Sequence, residues 1–210
     1  MSNVVSNGGA DLTAGIIGSH LLPGEQLLWA GRPKQGFVFR ASDFWVVPFM
    51  ICWSTLGVYF FISLIKQEGA SVELLVFELP FLFFGGYMLF GRFWIDAKAR
   101  SRTYYGVTDQ RGLIISGLLF SQTRSIYLKG LLETQFTMRS DGTGTIEFFT
   151  RLDGINRFRK FGFNRSQSWW PLSSKLLPPA FEMIPHPRDV EAILLQAKQE
   201  AQQPALAQLV

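Results

Sequence analysis

The densest group of chemically capable side chains in the sequence is basic. Arg157, Arg159, Lys160 and Arg165 stand among Phe158, Phe161 and Phe163. Cations at that density attract anions, and beside an anionic lipid surface each is worth about 1 kcal/mol. Rings among cations also admit nucleic acid, whose bases stack on aromatic faces. A solvated sheet face over core phenylalanines has the same composition and needs no ligand. Residues 92–165 hold 13 Lys and Arg against 6 Asp and Glu, while the whole chain carries only +4, so the charge is concentrated in this part.

Catalytic chemistry finds little to work with. His20 and His186 are far apart, and the single cysteine, Cys52, lies inside the most apolar segment. No Cys/His spacing matches a metal site, so no metal and no cofactor are expected. SDGTGTIEF contains a GxG, but it does not lead from a strand into a helix as a dinucleotide fingerprint does, and it reads as a turn. His186, between Pro185 and Pro187, reads as a cap or linker. Trp169-Trp170-Pro171 reads as core packing or a strap across a sheet, with contact to a membrane interface as the alternative. No catalytic residue is assigned, and the expectation is a non-enzyme.

The elements that must position these groups begin with two apolar runs. Residues 44–65 carry no charge over 22 residues. As a helix the run is about 33 Å long, against a hydrocarbon core of about 30 Å. A soluble helix of that length shows a polar face, and this one has none. Residues 74–94 form a second candidate, interrupted by Glu78 and Pro80. Glu78 reads as an interfacial acid about one turn from the loop end, with an ion or proton site as the alternative. Residues 66–73 join the two runs. Arg40 precedes the first run, and Arg92, Lys98, Arg100 and Arg102 follow the second. The positive-inside rule then puts both termini in the cytoplasm, with Trp45, Trp94 and Arg92 at the same inner interface. A chain tethered beside lipid presents its basic residues to lipid first, so no nucleic-acid partner is expected.

Short alternating runs follow. Asp109-Gln110-Arg111-Gly112 fits a type I turn between strands at 103–108 and 112–117. Further strands are expected at 123–128, at 132–139, at 145–150 after the SDGTG turn, and at 155–163 after Asp153-Gly154. QLLWAG, residues 26–31, supplies a strand before the hairpin. Seven short strands with regular turns suggest a small barrel or sandwich. Val190, Ile193, Leu194 and Ala197 form one stripe of a terminal helix over 187–202. The domain plan is therefore a disordered or loosely docked tail at 1–21, the first strand within 22–42, a membrane hairpin at 43–95, the rest of the sheet domain at 96–202 and a frayed end at 203–210.

LLPGEQLLWAGRP before the apolar runs, YYGVTDQRGLII after them and the amphipathic terminal helix together resemble the bacterial pleckstrin-homology-like membrane proteins, over roughly residues 22–200. The resemblance implies a mainly β domain with added helix: a seven-stranded, bent antiparallel barrel closed by the C-terminal helix, with the membrane hairpin inserted after the first strand. It implies an inner-membrane binding or scaffolding module, whose partners are membrane lipids, a protein or a second copy. GRPKQGFVFR offers Arg32, Lys34 and Arg40, which do not reproduce the basic cluster of inositide-binding relatives. The alternative function is a subunit of an oligomeric transport or pore complex.

Overall fold

A computed structural model describes residues 8–67, 69, 71–117, 121–150 and 178–207. These divide into two compact units, one holding residues 8–36, 98–150 and 178–207 and the other residues 37–97. The expected strand at 155–163 and the Trp169-Trp170-Pro171 segment lie outside the described residues.

In the first unit the described strands form two antiparallel sheets. β1 (Leu27–Gly31), β2 (Tyr104–Thr108), β3 (Arg111–Ser116) and β4 (Gln122–Tyr127) pair in that order. β5 (Leu131–Met138), β6 (Gly144–Thr150) and β7 (Ala180–Ile184) form the other sheet. The expected closed barrel is not what the described residues form. A 3-10 turn at Leu128–Gly130 separates β4 from β5 and divides the strands into sheets of four and three. The class is accordingly mixed α/β.

β7 was absent from the sequence expectation. Flanking prolines make PPAFEMIP look like a linker, and its burial does not alternate, with Ala180, Phe181, Met183 and Ile184 all inside. The C-terminal helix, α4 here, runs Pro187–Ala207, past the expected end at 202. Its Val190, Leu194 and Ala197 complete a core with Tyr105, Val107, Ile114, Ile126, Phe148 and Phe181. Phe181 is its centre, with ring centroids 4.9 Å from Tyr105 and 4.8 Å from Phe148.

Residues 8–18, expected to be tail, form a helix, α1 (Gly8–Gly18). Four glycines give it poor intrinsic helicity. Its packing supplies what propensity lacks: Ile17 is fully buried in a second cluster with Leu113 and Ile115, flanked by Leu27, Ala30 and Tyr104. α1 thus covers the opposite face of the first sheet, which is why β2 and β3 are buried on both sides. Gly106 makes the approach possible, since a Cβ there would stand 2.8 Å from Ile17 Cγ2. Gly106→Ala is expected to lower stability by about 1–3 kcal/mol through overpacking, read as a lower thermal midpoint of the intact chain in detergent. Gly15→Ala, with open space around it, should hold or raise that midpoint.

The second unit is a helical hairpin. α2 spans Asp43–Lys66, and α3 runs Val72–Ser101, its last residues passing into the first unit. Both are long and apolar enough to cross a membrane. Only 6% and 11% of their most apolar stretches are buried, so neither is enclosed as a core helix among the described residues. Phe77, Phe83 and Phe90 on α3 and Tyr59 on α2 stand exposed. The helices run antiparallel, with Asp43 meeting Arg92, Ser54 meeting Gly85 and Gly57 meeting Glu78 and Leu82. A Cβ on Gly85 would collide with the Ser54 hydroxyl, so that glycine sets the closeness of the seam. Immediately beyond it α3 widens into a π turn at Tyr87–Gly91, a local irregularity that recurs at functional positions.

Candidate functional site

Two charged constellations organise the described residues, one in each unit. The first joins the two sequence motifs on which the resemblance rests. Glu25 in the lead-in to β1 takes a two-pronged ion pair from Arg111 at the start of β3, Nε to Oε1 and Nη2 to Oε2, both 2.8 Å. The Thr108 hydroxyl donates to Glu25 Oε1 at 2.7 Å, and the Leu22 amide donates to Oε2 at 2.8 Å. The other Arg111 nitrogen, Nη1, donates to Ser125 Oγ at 2.8 Å, and Nη2 also reaches the His20 carbonyl at 3.1 Å. The Gln26 amide donates to Asp109 Oδ1, and the Asp109 amide returns to the Gln26 carbonyl.

Every acceptor of the carboxylate and every guanidinium nitrogen is thus engaged within the protein, which is how buried charges persist. The turn itself sits one residue earlier than the spacing suggested. The Thr108 hydroxyl accepts the amides of Gln110 and Arg111, so Thr108 rather than Asp109 opens it. This clasp closes the β2–β3 hairpin onto the segment before β1. It leaves no free valence for a ligand and is structural.

The hydrogen bond from Arg111 is the main reason the Glu25 carboxyl titrates low, from an ordinary 4.5 to about 2, against the opposing effect of burial. Between those values the unfolded chain takes up a proton that the folded chain refuses. The associated stability is therefore complete above pH 4.5 and is lost as pH falls towards 2, amounting to about 3 kcal/mol. Unfolding followed at pH 6, 4 and 2.5 should show that slope, and Glu25→Gln should flatten it.

The second constellation lies at the open end of the hairpin. Asp43 in the first turn of α2 and Arg92 just past the π turn form an ion pair at 2.9 Å, both side chains about 6% exposed. The π turn aims the arginine. The Arg92 amide reaches back five residues to the Tyr87 carbonyl, and its Nε donates to the Met88 carbonyl at 2.7 Å. Its guanidinium carbon lies 4.4 Å from the Phe93 ring centroid. Asp43 also accepts the Arg40 amide at 2.7 Å, and Arg40 pairs with Asp96 at 3.1 Å. Arg92 Nη2 and Ser42 Oγ are buried without a hydrogen-bond partner among the described residues.

Of the residues expected at the membrane interface, Trp45 and Trp94 are exposed, whereas Arg92 is turned inward onto Asp43. The basic set Arg157, Arg159, Lys160 and Arg165 lies outside the described residues. The basic residues of GRPKQGFVFR are all engaged. Arg32 donates to the Ser101 carbonyl and the Tyr104 hydroxyl, Lys34 pairs with Asp141 at 2.9 Å, and Arg40 pairs with Asp96. The Thr143 hydroxyl, ahead of Lys34, holds the Asp141 carboxyl well below the usual carboxylate range.

Ser19 and His20 are the one serine–histidine contact among the described hydrogen bonds, at 3.1 Å. The serine hydroxyl donates to the Ile16 carbonyl instead, closing the end of α1. No group of His, Cys, Asp and Glu able to hold a metal occurs among the described residues. The Asp43–Arg92 pair had a legible signal, opposite charges heading one apolar run and tailing the other. Arg111–Glu25 had none, being 86 residues apart. Compared with known protein families, curated proteins and solved structures, the chain matches none.

Proposed function

We propose that this chain is a non-enzymatic membrane protein. α2 and α3 cross the bilayer, and the first unit, a pleckstrin-homology-like domain of bacterial type, works on the cytoplasmic face, binding a protein partner or the anionic surface of the inner leaflet. The observation that carries the reading is the exposure of the hairpin's apolar surface. Phe77, Phe83, Phe90 and Tyr59 are each at least 66% exposed. In water that surface is a severe liability, and in hydrocarbon it is satisfied.

Three features support the arrangement. Helices are among the few structures whose backbone is satisfied inside lipid. Trp45 and Trp94 stand outward at the end where chain polarity changes, as aromatic belts do. The charged residues Arg40, Asp43, Arg92 and Asp96 gather at that same end. The clasp and the paired cations of GRPKQGFVFR speak against a specific inositide pocket there, and the residues proposed to bind are Arg157, Arg159, Lys160 and Arg165, which lie outside the described residues.

The intact chain in nanodiscs of neutral or anionic lipid separates the two kinds of target. Slower amide exchange across 157–165 in anionic discs supports the lipid surface. Equal exchange in both removes it and leaves the protein partner.

A further inference from the structure

Away from the Asp43–Arg92 pair at its open end, the hairpin seam carries one charged side chain among the described residues, Glu78. It lies six residues into α3 from Val72, about 9 Å along the axis, and faces Gly57, which is about 13 Å from the end of α2. That is about 1.7 turns from the start of α3, deeper than the single turn its sequence position suggests. Its Oε1 would stand 3.4 Å from a Cβ built on Gly57, so the carboxyl occupies the notch that glycine leaves between the helices. Leu82 Cδ2 lies at the same distance from that Cβ position. Glu78 has no hydrogen bond or ion pair among the described residues, and it is half-buried. No other charged residue lies on α2 between Asp43 and Lys66, nor on α3 between Glu73 and Arg92.

A carboxylate with neither water nor a partner is not tolerated in hydrocarbon. We infer that the Gly57–Glu78 notch is a binding site for a single positively charged counter-ion, supplied from the aqueous phase as a proton or as an alkali ion. The inference rests on α2 and α3 crossing a bilayer. Glycine at position 57 makes the room, and the carboxyl supplies the charge. Of the other polar groups nearby, Thr55 donates to the Ile51 carbonyl, and the Ser54 hydroxyl, about one turn from Gly57, faces Gly85 and is buried without a hydrogen-bond partner among the described residues.

A hydrophobic carbodiimide tests the site in native membranes holding the intact chain. The carboxylic acid adds across the reagent: its proton moves to one nitrogen, and its oxygen bonds to the central carbon. In a dry site the acyl group then migrates from oxygen to nitrogen, leaving a stable acylurea with no leaving group. Peptide mass spectrometry should find this adduct at Glu78 about tenfold more than at Glu73, which lies in the first turn of α3 beside water.

Suppression of the adduct by sodium or potassium at constant pH identifies an alkali ion, and indifference to both identifies a proton. Gly57→Leu, which fills the notch, should abolish the preference for Glu78 in either case. Equal labelling of Glu73 and Glu78, or ready labelling of Glu78 by a water-soluble carbodiimide, places the carboxyl in open water and overturns the inference. Alkaline extraction of the same membranes reads bilayer integration independently. A chain that stays integrated yet shows no preference refutes the site alone, and a chain released by alkali refutes the spanning hairpin.

Discussion

Arg111→Ala is expected to destabilise the first unit by about 3–5 kcal/mol, the usual penalty for leaving one member of a buried ion pair alone. The guanidinium satisfies both Glu25 oxygens and reaches Ser125 and the His20 carbonyl as well. Its loss strands a carboxylate that is almost wholly enclosed. The Thr108 hydroxyl and the Leu22 amide remain, but they neutralise no charge. The double replacement Arg111→Met with Glu25→Leu removes both charges and should recover most of the loss, because isosteric apolar pairs replace buried ion pairs at little cost. Thermal unfolding of the intact chain in detergent, with a double-mutant cycle, measures the coupling. If the single and double variants fell equally, the clasp would be packing and not charge pairing.

Asp43→Leu is the second large effect, also about 3–5 kcal/mol, and it falls on the hairpin. Arg92 would keep the Met88 carbonyl and the Phe93 ring but lose its counter-charge, with Nη2 already unpartnered. Arg92→Leu should be milder, since Asp43 retains the Arg40 amide. The order Asp43→Leu below Arg92→Leu below the parent, in thermal midpoint by helical circular dichroism, is the expected result. The reverse order would mean that the aspartate, not the arginine, is the dependent partner.

Legibility in the sequence followed the range of the interaction responsible. Local patterns were readable. The uncharged run of α2 and the stripe of α4 were plain in the sequence, and β1 to β6 stand within a residue of where their alternation and turns place them, although the burial of β5 does not alternate and Leu132 and Met138 on its apolar side are exposed. What depended on distant partners was not readable. α1 is helical because Ile17 fits over Gly106, 89 positions away, and nothing in a glycine-rich stretch announces that. β7 is a strand because β6 pairs with it, although its own residues do not alternate. The π turn converts Arg92 from an outward interfacial cation into the inward partner of Asp43. Glu25 and Arg111 were visible as motif letters, but their joining is a product of the fold.

Everything proposed for function depends on α2 and α3 crossing a bilayer and returning the chain to its starting side. In a Cys52→Ser background, single cysteines at Gln67 and Ser101 mark the two ends of the hairpin, one in the loop and one at the close of α3. Intact cells treated with a maleimide that cannot cross the membrane should yield labelled Gln67→Cys, and Ser101→Cys labelled only after lysis. Labelling of Ser101→Cys from outside, or failure of Gln67→Cys to label until the cells are opened, would contradict the spanning hairpin.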